Sequence, residues 1–489
     1  MELVLLPVLL VVLLLVLLYK YGTRNYGTLE KLGIPVVKPY PFVGSVRYPA
    51  RTSTDQEDMR NAKRFGKVWG VYEGPWPQVF VADAELAKRI LIKDFDHFPD
   101  RPILFDIPYG RDMLDMKPGE QWKMLRSMLA PALASGVKLK AMMPTMVECA
   151  QQAFHRMEAK MRQTSVLSMR EDLFGPLTLD IMAQFSFGIK VPNVADTSST
   201  FVKYASAFSA QGDTPDTWMT TLMTSFPSIA NYMMGRELVP AFKYFLNLVR
   251  SSIKQRRAEG VERPDLIGAL MDAIDKKVPT PECRRLNITE ELVMLQGAEM
   301  LMAAYDTIGT TLTITSYFLA KNPDVAARIA EEAAGVELTY EALQRLPLTE
   351  AAIQESLRLS PLISRHFRLC TRDWEYDGLR IPKGTTVILP LWPYHRDPEV
   401  FPEPERFLPD RWLGEQGRQL GQYSWMPFGL GPRACIGSRL GMMECKFLLA
   451  YLLQRYRLTA TPETKLKYYT GATLFIGAHP IMCKVEKLQ

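Results

Sequence analysis

The sequence predicts a mainly helical protein with small β-sheets, joined to an apolar N-terminal helix. Three observations predict this class. Apolar residues recur at helical spacing over most of the chain, strand-like runs are few and short, and an uncharged apolar segment opens the sequence. Neither an internal repeat nor a low-complexity linker divides the remainder, so one large body is expected.

The composition excludes several classes of protein. Of 489 residues, 47% are hydrophobic and 23% are charged, which is typical of a globular fold and not of a disordered chain. The six cysteines are scattered along the chain, so they predict a reducing compartment and not a disulfide framework. The net charge of +6 comes from 59 basic and 53 acidic residues without a long basic run, so no nucleic-acid partner is expected.

Residues 1–21 are predicted to be an uncleaved transmembrane anchor. Leu3–Tyr19 is a run of 17 apolar residues, and a helix of that length reaches ~26 Å, the short end of a bilayer span. Glu2 precedes the run, and Lys20 and Arg24 follow it, which predicts a cytoplasmic location for the rest of the chain. A cleaved signal peptide is the alternative, although no small-residue cleavage site follows the run.

Beyond the anchor, the elements follow from residue patterns. Residues 22–45 are predicted to be a stiff, extended spacer, because three prolines lie between Gly33 and Gly44. Helical patterns cover Gln121–Leu133, Lys138–Arg162, Leu238–Glu259, Thr289–Lys321, Asp324–Ala334, Thr349–Leu359 and Ser438–Tyr456. Strand-like runs are Val68–Tyr72, Gln78–Val81, Trp374–Tyr376 and Thr386–Leu389.

The chemistry is expected near Cys435, in the segment PFGLGPRACIG of residues 427–437. Its glycines allow a tight loop with exposed amides, and a helix is expected to start at about Ser438, so a thiolate would be stabilised here. A match to the dinucleotide fingerprint is rejected, since no apolar strand precedes it and Pro432 stands where a helix should donate amides. A nucleophile would need a paired base, and zinc would need nearby Cys or His. A thiolate that is the only protein ligand of a haem iron needs neither.

This loop resembles the haem-binding loop of the cytochrome P-450 family. The motif F-x-x-G-x-R-x-C-x-G is met by Phe428, Gly431, Arg433, Cys435 and Gly437. Four further motifs of the family occur in its order along the chain: Trp122 to Arg126 resembles W-x-x-x-R, Ala303 to Thr307 the oxygen-activation motif, Glu355 to Arg358 E-x-x-R, and Pro404 to Phe407 P-E-R-F. The resemblance therefore implies a single cytochrome P-450 fold domain, residues 46–489, behind the anchor and the spacer.

The resemblance also implies a cofactor, haem b, and the residues that hold it. Cys435 is expected to ligate the iron. The other residues expected to contact the haem are Arg101, Trp122, Arg126, Arg368, Phe428, Arg433 and Gly437. Whether Arg365 or Arg368 reaches the haem propionates stays open. An isolated Glu355–Arg358 pair would usually be solvated, but with Arg406 available the three residues are expected to form a partly buried structural network.

Catalysis is expected to use Asp306 and Thr307, which would relay protons to dioxygen at the haem. Two departures from the family pattern stand beside them: Ala304 replaces the usual glycine, and Ile308 replaces a common hydroxyl residue. A threonine that only bonds its own helix carbonyl is the alternative for Thr307.

The resemblance implies an NADPH-dependent monooxygenase of a lipophilic substrate, a steroid, a fatty acid or a xenobiotic, as in the animal microsomal drug- and steroid-oxidising branch. One alternative is a haem-thiolate isomerase or dehydratase of a fatty-acid peroxide, and a second is a non-enzymatic haem- or lipid-binding membrane protein, which the full set of motifs disfavours. The pocket is expected to include Phe105, Ile107, Met113, Ala303, Leu362, Ile363, Leu474 and Phe475. The Met- and aromatic-rich stretch Trp218–Phe245 is either the roof of this pocket or a plain amphipathic core helix.

The expected location is the endoplasmic reticulum membrane, in a single pass with the catalytic domain in the cytoplasm. Expected partners are O2, the membrane, an NADPH-cytochrome reductase and a cytochrome b-type donor. Basic residues that could meet an acidic reductase are Lys123, Arg126, Arg418, Arg439 and Lys446.

Overall fold

The computed structural model describes residues 2–45, 53–103, 106–207, 226–263, 265–468 and 479–488. Helices dominate it, and three small sheets complete it. The helices are α1 (Glu2–Gly22), α2 (Thr54–Phe65), α3 (Ala84–Lys88), α4 (Gly119–Ala134), α5 (Gly136–Met161), α6 (Gly175–Phe187), α7 (Thr200–Ser206), α8 (Pro227–Glu259), α9 (Leu266–Lys276), α10 (Pro281–Arg285), α11 (Glu290–Lys321), α12 (Pro323–Ala333), α13 (Tyr340–Leu343), α14 (Pro347–Leu359), α15 (Leu391–His395), α16 (Gly414–Gln419) and α17 (Ser438–Leu453).

The strands are β1 (Val68–Glu73), β2 (Trp76–Val81), β3 (Val166–Ser168), β4 (Arg365–Leu369), β5 (Trp374–Tyr376), β6 (Leu379–Ile381), β7 (Thr386–Pro390), β8 (Tyr456–Thr459) and β9 (Met482–Lys487). They form a four-stranded sheet in the order β1-β2-β7-β4, a three-stranded sheet in the order β3-β9-β8, and the β5-β6 hairpin. In the largest sheet β2 and β7 are parallel, and the other two pairs are antiparallel.

The predicted mainly helical class is confirmed, and each predicted helix and strand has a counterpart. The largest difference in a boundary is at α8, which begins at Pro227 and not at Leu238. Proline is favoured in the first turn of a helix, so Pro227 marks this start. The sequence analysis missed β3, β4, β6, β8 and β9. In β8 and β9 the alternating side chains carried the signal of a strand with one buried face.

Helix α11 is the central element of the body. The Thr289 side chain caps its N-terminus by accepting a hydrogen bond from the amide of Leu292 at 3.1 Å. The helix packs against α6, α8, α9, α14 and α17, and at 32 residues it is about 48 Å long. Most of its residues are buried among these neighbours, so it can carry functional residues into the interior.

The segment predicted to be a spacer is packed against the body. Val37 donates its backbone N–H to Gly70 on β1, and Val36 pairs with the same residue. Leu29 and Ile34 are buried in an apolar cluster with residues of the largest sheet. Residues 34–40 follow β1, but residues 23–29 are turns, Glu30–Leu32 is a 3-10 helix, and a turn at 41–43 pairs Tyr40 with Gly44, so the predicted extended spacer is interrupted.

The N-terminal helix α1 presents exposed aliphatic side chains from Leu6 to Leu17. Within the part of the chain that the structure describes, no helix is long and apolar enough to cross a membrane. The transmembrane anchor therefore stays a prediction.

Candidate active site

The loop before α17 holds Cys435 in a fixed backbone setting. Gly431 has φ of 71°, and a Cβ at this position would lie 2.0 Å from the carbonyl oxygen of Leu91, so only glycine fits. The amide of Cys435 donates to the carbonyl oxygen of Phe428 at 2.7 Å. Helix α17 starts three residues after the cysteine, at Ser438, so its positive end lies near the sulfur.

The thiol of Cys435 is both accessible and desolvated. Cys435 is exposed, whereas the other five cysteines are buried. Burial of its thiol by the surrounding protein nevertheless raises its pKa, against the opposing effects of the Gly437 amide and of the charges of Arg101 and Arg126. A thiol with both properties lines a cavity inside the protein, where it can reach a ligand. A bound cation would replace its proton, because thiolate is the form that ligates metals.

One face of α11 opens on a space in the body. Ala303 is exposed and Ala304 and Thr307 are half-buried, whereas the neighbouring Met302 and Tyr305 are buried. The small alanine side chains leave room beside the helix. Thr307 donates its hydroxyl proton to the carbonyl oxygen of Ala303 at 2.8 Å. Its oxygen is therefore left as an acceptor for a water molecule or a substrate group.

Four arginines converge beside the loop: Arg101, Arg126, Arg368 and Arg433. Burial lowers the pKa of Arg368 well below its usual value, and the charges of Arg101 and Arg433 lower it further. Burial, with the Arg101 charge, also lowers the pKa of Arg433 to about 10. Trp122 forms part of the same group, since the Arg433 guanidinium lies 4.1 Å from the centre of its ring. The cluster therefore concentrates positive charge next to Cys435.

This cluster is short of negative charge. Arg101 pairs with Asp115 at 2.7 Å, and Arg433 pairs with Asp100 at 3.3 Å. The Nε of the buried Arg368 has no hydrogen-bond partner among the described residues, and its Nη1 donates to the carbonyl of the adjacent Phe367. Four guanidinium groups facing two carboxylates leave two positive charges, and an orphaned buried donor is costly unless a ligand accepts from it. The two propionates of haem b match this deficit in charge and in chemistry.

The structure also separates Arg365 from Arg368. The two residues point to opposite faces of β4, because they are three positions apart and strand side chains alternate. Arg365 forms two hydrogen bonds to the buried Asp58 of α2, at 2.9 and 2.6 Å. Arg368 is the one that lies in the arginine cluster.

Asp306 faces a basic partner that the sequence analysis did not identify. Arg170, in the turn of π-helix at Met169–Phe174, pairs with the Asp306 carboxylate. It also donates to the Asp306 carbonyl at 3.0 Å and to the Thr310 hydroxyl at 2.8 Å. Successive helical residues point about 100° apart, so Thr307 borders the cavity while Asp306 lies against Arg170. Nothing in the local sequence around Arg170 signals this pairing.

Glu355 lies at the centre of a buried network, as expected, but one of its predicted members is wrong. Arg358 donates to both Glu355 oxygens at 2.9 Å. The second arginine on Glu355 is Arg411, whose Nε lies 3.1 Å from it. The side chain of Arg406 is exposed and pairs with Glu403; only its backbone carbonyl meets Arg358. The P-E-R-F resemblance thus located the correct segment and the wrong side chain.

The predicted pocket residues are divided between described and undescribed parts of the chain. Ile107 and Met113 pack with Phe242 of α8 and Met302 of α11 in a small apolar cluster separate from the main core. Leu362 and Ile363 are half-buried. Phe105, Leu474 and Phe475 lie outside the described residues, as does the part of the Met- and aromatic-rich stretch before Phe226.

Two buried polar residues of α11 hold this pocket wall and were missed from the sequence. Gln296 donates to the carbonyl of Asp112 at 3.1 Å, and Glu299 accepts from the amide of Leu114 at 2.7 Å. Burial raises the pKa of Glu299 to about 8. Polar residues on an inward helix face were the signal that could have found them, because buried polar groups need partners.

One residue predicted to meet a reductase is not available. Lys446 is buried and pairs with Glu350 at 2.7 Å, because α17 packs on α14 there. Lys123 and Arg439 are exposed, and Arg126 is half-buried near Cys435. The side chain of Arg418 lies outside the described part of the chain.

A mainly helical body with an accessible cysteine beside an anion-binding arginine cluster defines a haem-thiolate protein. The family model of "Cytochrome P450" matches residues 34–484. The chain belongs to the cytochrome P450 family. Proteins of this family hold haem b, and the chain is accordingly an oxidoreductase, a monooxygenase that acts on lipophilic substrates.

Three curated relatives illustrate the match, and all are from animals. Cytochrome P450 3A29 of Sus scrofa is 29% identical over 92% of this chain and 90% of its own length. Cytochrome P450 3A25 of Mus musculus is 30% identical, over 96% and 94%. Lithocholate 6-beta-hydroxylase of Mesocricetus auratus is also 30% identical, over 96% and 94%. The predicted family is therefore confirmed.

Proposed function

We propose that the protein is an NADPH-dependent monooxygenase that inserts one oxygen atom of O2 into a steroid, a fatty acid or a xenobiotic. The observation that carries this proposal is the position of Cys435, accessible and desolvated beside arginines that lack two anions. When bound, haem b supplies the oxygen chemistry, and the thiolate donates electron density to it.

The residues of the chain have separate roles in this proposal. Cys435 holds the iron, while Arg101, Arg126, Arg368 and Arg433 bind the two propionates. Trp122 closes the same site through its contact with Arg433. Phe428 holds the cysteine amide through its carbonyl, and Gly437 supplies an amide to the sulfur.

Proton delivery is assigned to α11. The Thr307 oxygen, with its own proton donated to Ala303, can accept from water at the cavity and pass a proton on by exchanging that bond. Asp306 is held by Arg170 on the adjacent side of the helix. Release of this ion pair would let the carboxylate exchange protons between solvent and the cavity.

The direct test is turnover with NADPH, a flavoprotein reductase and a panel of lipophiles. We expect product only when both NADPH and reductase are present, and none from Cys435→Ala. Turnover of fatty hydroperoxides without reductase would contradict the proposal and favour the isomerase or dehydratase. Thr307→Val is expected to consume NADPH with at least tenfold less product per NADPH.

Thr315→Val is the matched control for Thr307. Its hydroxyl donates to the carbonyl of Thr311 at 2.8 Å, the same type of bond on the same helix, but it is fully buried away from the exposed alanine. A loss of coupling in both variants would show that the threonine acts only through helix stability.

Two observations support the proposed substrate class: the residues of the pocket wall and the name of one relative. The pocket wall of Ile107, Met113 and Met302 is apolar and adaptable, which suits flat or flexible lipophiles. The relative from Mesocricetus auratus is named lithocholate 6-beta-hydroxylase, and lithocholate is a steroid. Type-I spectral titration with sterols, fatty acids and drugs would rank the classes, and binding of none of the three would contradict the proposal.

We further propose that residues 1–21 anchor the protein in the endoplasmic reticulum membrane in a single pass, with residues 22–45 leading to a cytoplasmic body at 46–489. The exposed aliphatic surface of α1 supports this. Asn287 offers a test, since it is exposed and begins the sequon Asn287–Thr289. We expect membrane retention at alkaline pH, release after removal of residues 2–21, and no glycan on Asn287. A glycan would place the body in the lumen.

Electron supply is proposed to come from an NADPH-cytochrome reductase, with a cytochrome b-type donor as a second source. The exposed Lys123 and Arg439 are the proposed contacts. Replacing both by Glu should weaken reductase binding and its salt dependence while leaving sterol binding unchanged. Unchanged reductase affinity at low salt would remove them from the interface.

A further inference from the structure

Two buried histidines hold the backbone of one residue, Met426, at the start of the cysteine loop. His366 of β4 places its Nε2 at 2.7 Å from the carbonyl oxygen of Met426. The amide of Met426 donates to Nε2 of His395, at the end of α15, at 3.2 Å. Both polar atoms of Met426 are thus bound by imidazole side chains that come from separate parts of the chain.

The partners of each ring define its protonation. Nδ1 of His395 lies 3.2 Å from the carbonyl oxygen of Arg358, which only accepts, so this nitrogen carries the proton. Nε2 must then be bare to accept from Met426, and His395 is neutral. Burial lowers the pKa of His395 well below its usual value, in agreement with this assignment. His366 donates from Nε2, and burial lowers its pKa to about 4.

The backbone of Met426 is connected to Cys435 by two further hydrogen bonds. The carbonyl of Met426 also accepts from the amide of Gly429 at 2.9 Å, which closes a turn over residues 426–429. Phe428, inside this turn, accepts from the amide of Cys435 at 2.7 Å. The position of the turn therefore sets the position of the cysteine backbone.

The two histidines also connect the loop to the Glu355 network and to strand β4. Arg358, which is bound to Glu355, donates to the carbonyl of His395 at 2.8 Å and accepts from its ring. His366 stands two residues before Arg368 on β4, on the same face of the strand. One histidine thus ties the loop to the Glu355 network, and the other ties it to the strand that carries an arginine of the anion site.

We infer that His366 and His395 are positioning residues that keep Cys435 in the geometry of a thiolate ligand. This inference rests on the proposed role of Cys435 as the iron ligand. Loss of either imidazole would free the 426–429 turn and shift the backbone of Cys435, so that the sulfur would no longer be held where it could ligate an iron. Neither histidine touches the reacting atoms.

The test compares His366→Leu with His366→Gln. Leu removes the donor, whereas the amide nitrogen of Gln can reach the position of the imidazole Nε2. At equal haem content, we expect the ratio of thiolate-type to thiol-type carbon-monoxide complex to fall about five- to tenfold in His366→Leu, the equivalent of about one hydrogen bond. His366→Gln should recover most of the ratio, and His395→Leu should lose it as well. The control is His155→Leu, an exposed position on α5.

A second readout does not depend on the haem signal. Hydrogen exchange of the peptide covering residues 424–437 should accelerate about tenfold in both Leu variants and return toward the wild-type rate in His366→Gln. An unchanged ratio and an unchanged exchange rate in His366→Leu would overturn the inference, as would a Gln variant that behaves like Leu. Absence of a thiolate-type signal in the wild-type protein would instead refute the proposed function. The hydrogen-exchange comparison would still show whether the two histidines hold the 426–429 turn in place.

Discussion

Replacing Arg411 by Ala should destabilise the protein far more than replacing Arg406 by Ala. Both arginines lie in the segment that follows α15, and the family resemblance alone selects Arg406. The Arg411 side chain is 9% exposed and contacts the fully buried Glu355, whereas the Arg406 side chain is 64% exposed and contacts Glu403. The two substitutions are chemically identical, so any difference in effect must come from the surroundings.

The size of the effect follows from the bonds that each residue makes. Arg411 donates to Glu355 at 3.1 Å and to the carbonyl of Pro402 at 2.9 Å. A hydrogen bond that involves a charged group contributes about 1.5–3 kcal/mol, and the bond to Pro402 is solvent-exposed and contributes less, so Arg411→Ala should cost about 3 kcal/mol. Arg406 makes an exposed ion pair, which is worth at most about 1 kcal/mol. The backbone carbonyl of Arg406, which Arg358 uses, survives substitution.

Urea unfolding followed by tryptophan fluorescence measures this difference. Trp412 donates its indole N–H to Glu355 at 2.8 Å, so it reports on the network directly. We expect the free energy of unfolding to fall by about 3 kcal/mol in Arg411→Ala and by less than about 1 kcal/mol in Arg406→Ala. Equal losses in the two variants, or a loss below about 0.5 kcal/mol in Arg411→Ala, would refute the reasoning.

Three further predictions concern the same body. Neither carboxylate oxygen of the buried Glu444 has a hydrogen-bond partner among the described residues, and burial raises its pKa to about 8. The free energy of unfolding should therefore fall as the pH rises from about 4.5 to 8. In urea unfolding, Glu444→Gln should raise this free energy by up to about 5 kcal/mol at pH 9 and by little at pH 5. His366 should affect stability in the opposite direction, because burial lowers its pKa to about 4. About 3 kcal/mol of the free energy of unfolding should be present above about pH 6.5 and lost as the pH falls toward 4. His366→Gln should therefore make stability less dependent on pH in this acid range. Gly431→Ala should prevent haem uptake, because its Cβ would meet the Leu91 carbonyl at 2.0 Å, whereas Gly235→Ala on α8, where a Cβ would meet nothing closer than 3.7 Å, should keep haem; pyridine haemochrome content distinguishes them.

The sequence was sufficient for the fold class and for the loop that carries Cys435, because both depend on local signals. Helical periodicity predicted α11 to within one residue at its start, since Thr289 is an N-cap followed by two acidic residues. The glycines near Cys435 predicted a tight loop, and the positive φ of Gly431 is what that loop requires. Such features act through neighbours in the chain, so a residue pattern can reveal them.

The partners of the site residues depend on packing, which no local pattern contains. Arg170 is 136 residues from Asp306, and their ion pair forms because the turn before α6 lies against α11. For the same reason Glu355 pairs with Arg411 and not with Arg406, although the two arginines are only five positions apart in one segment. A motif can give the type of residue that a site needs, but the choice among nearby arginines is decided by which side chain points inward.

For Thr307, the role predicted from the motif and the hydrogen bond seen in the structure have to be reconciled. Its position in the motif predicted a proton relay, and its place on a helix equally allowed a bond to its own backbone. The structure has the second arrangement, with the hydroxyl donated to Ala303 at 2.8 Å. The two are compatible, because a hydroxyl that donates once retains two acceptor lone pairs, and half-burial beside the exposed Ala303 leaves them open to the cavity. The backbone bond thus fixes the side-chain rotamer and directs the acceptor toward the space where a proton relay would need it.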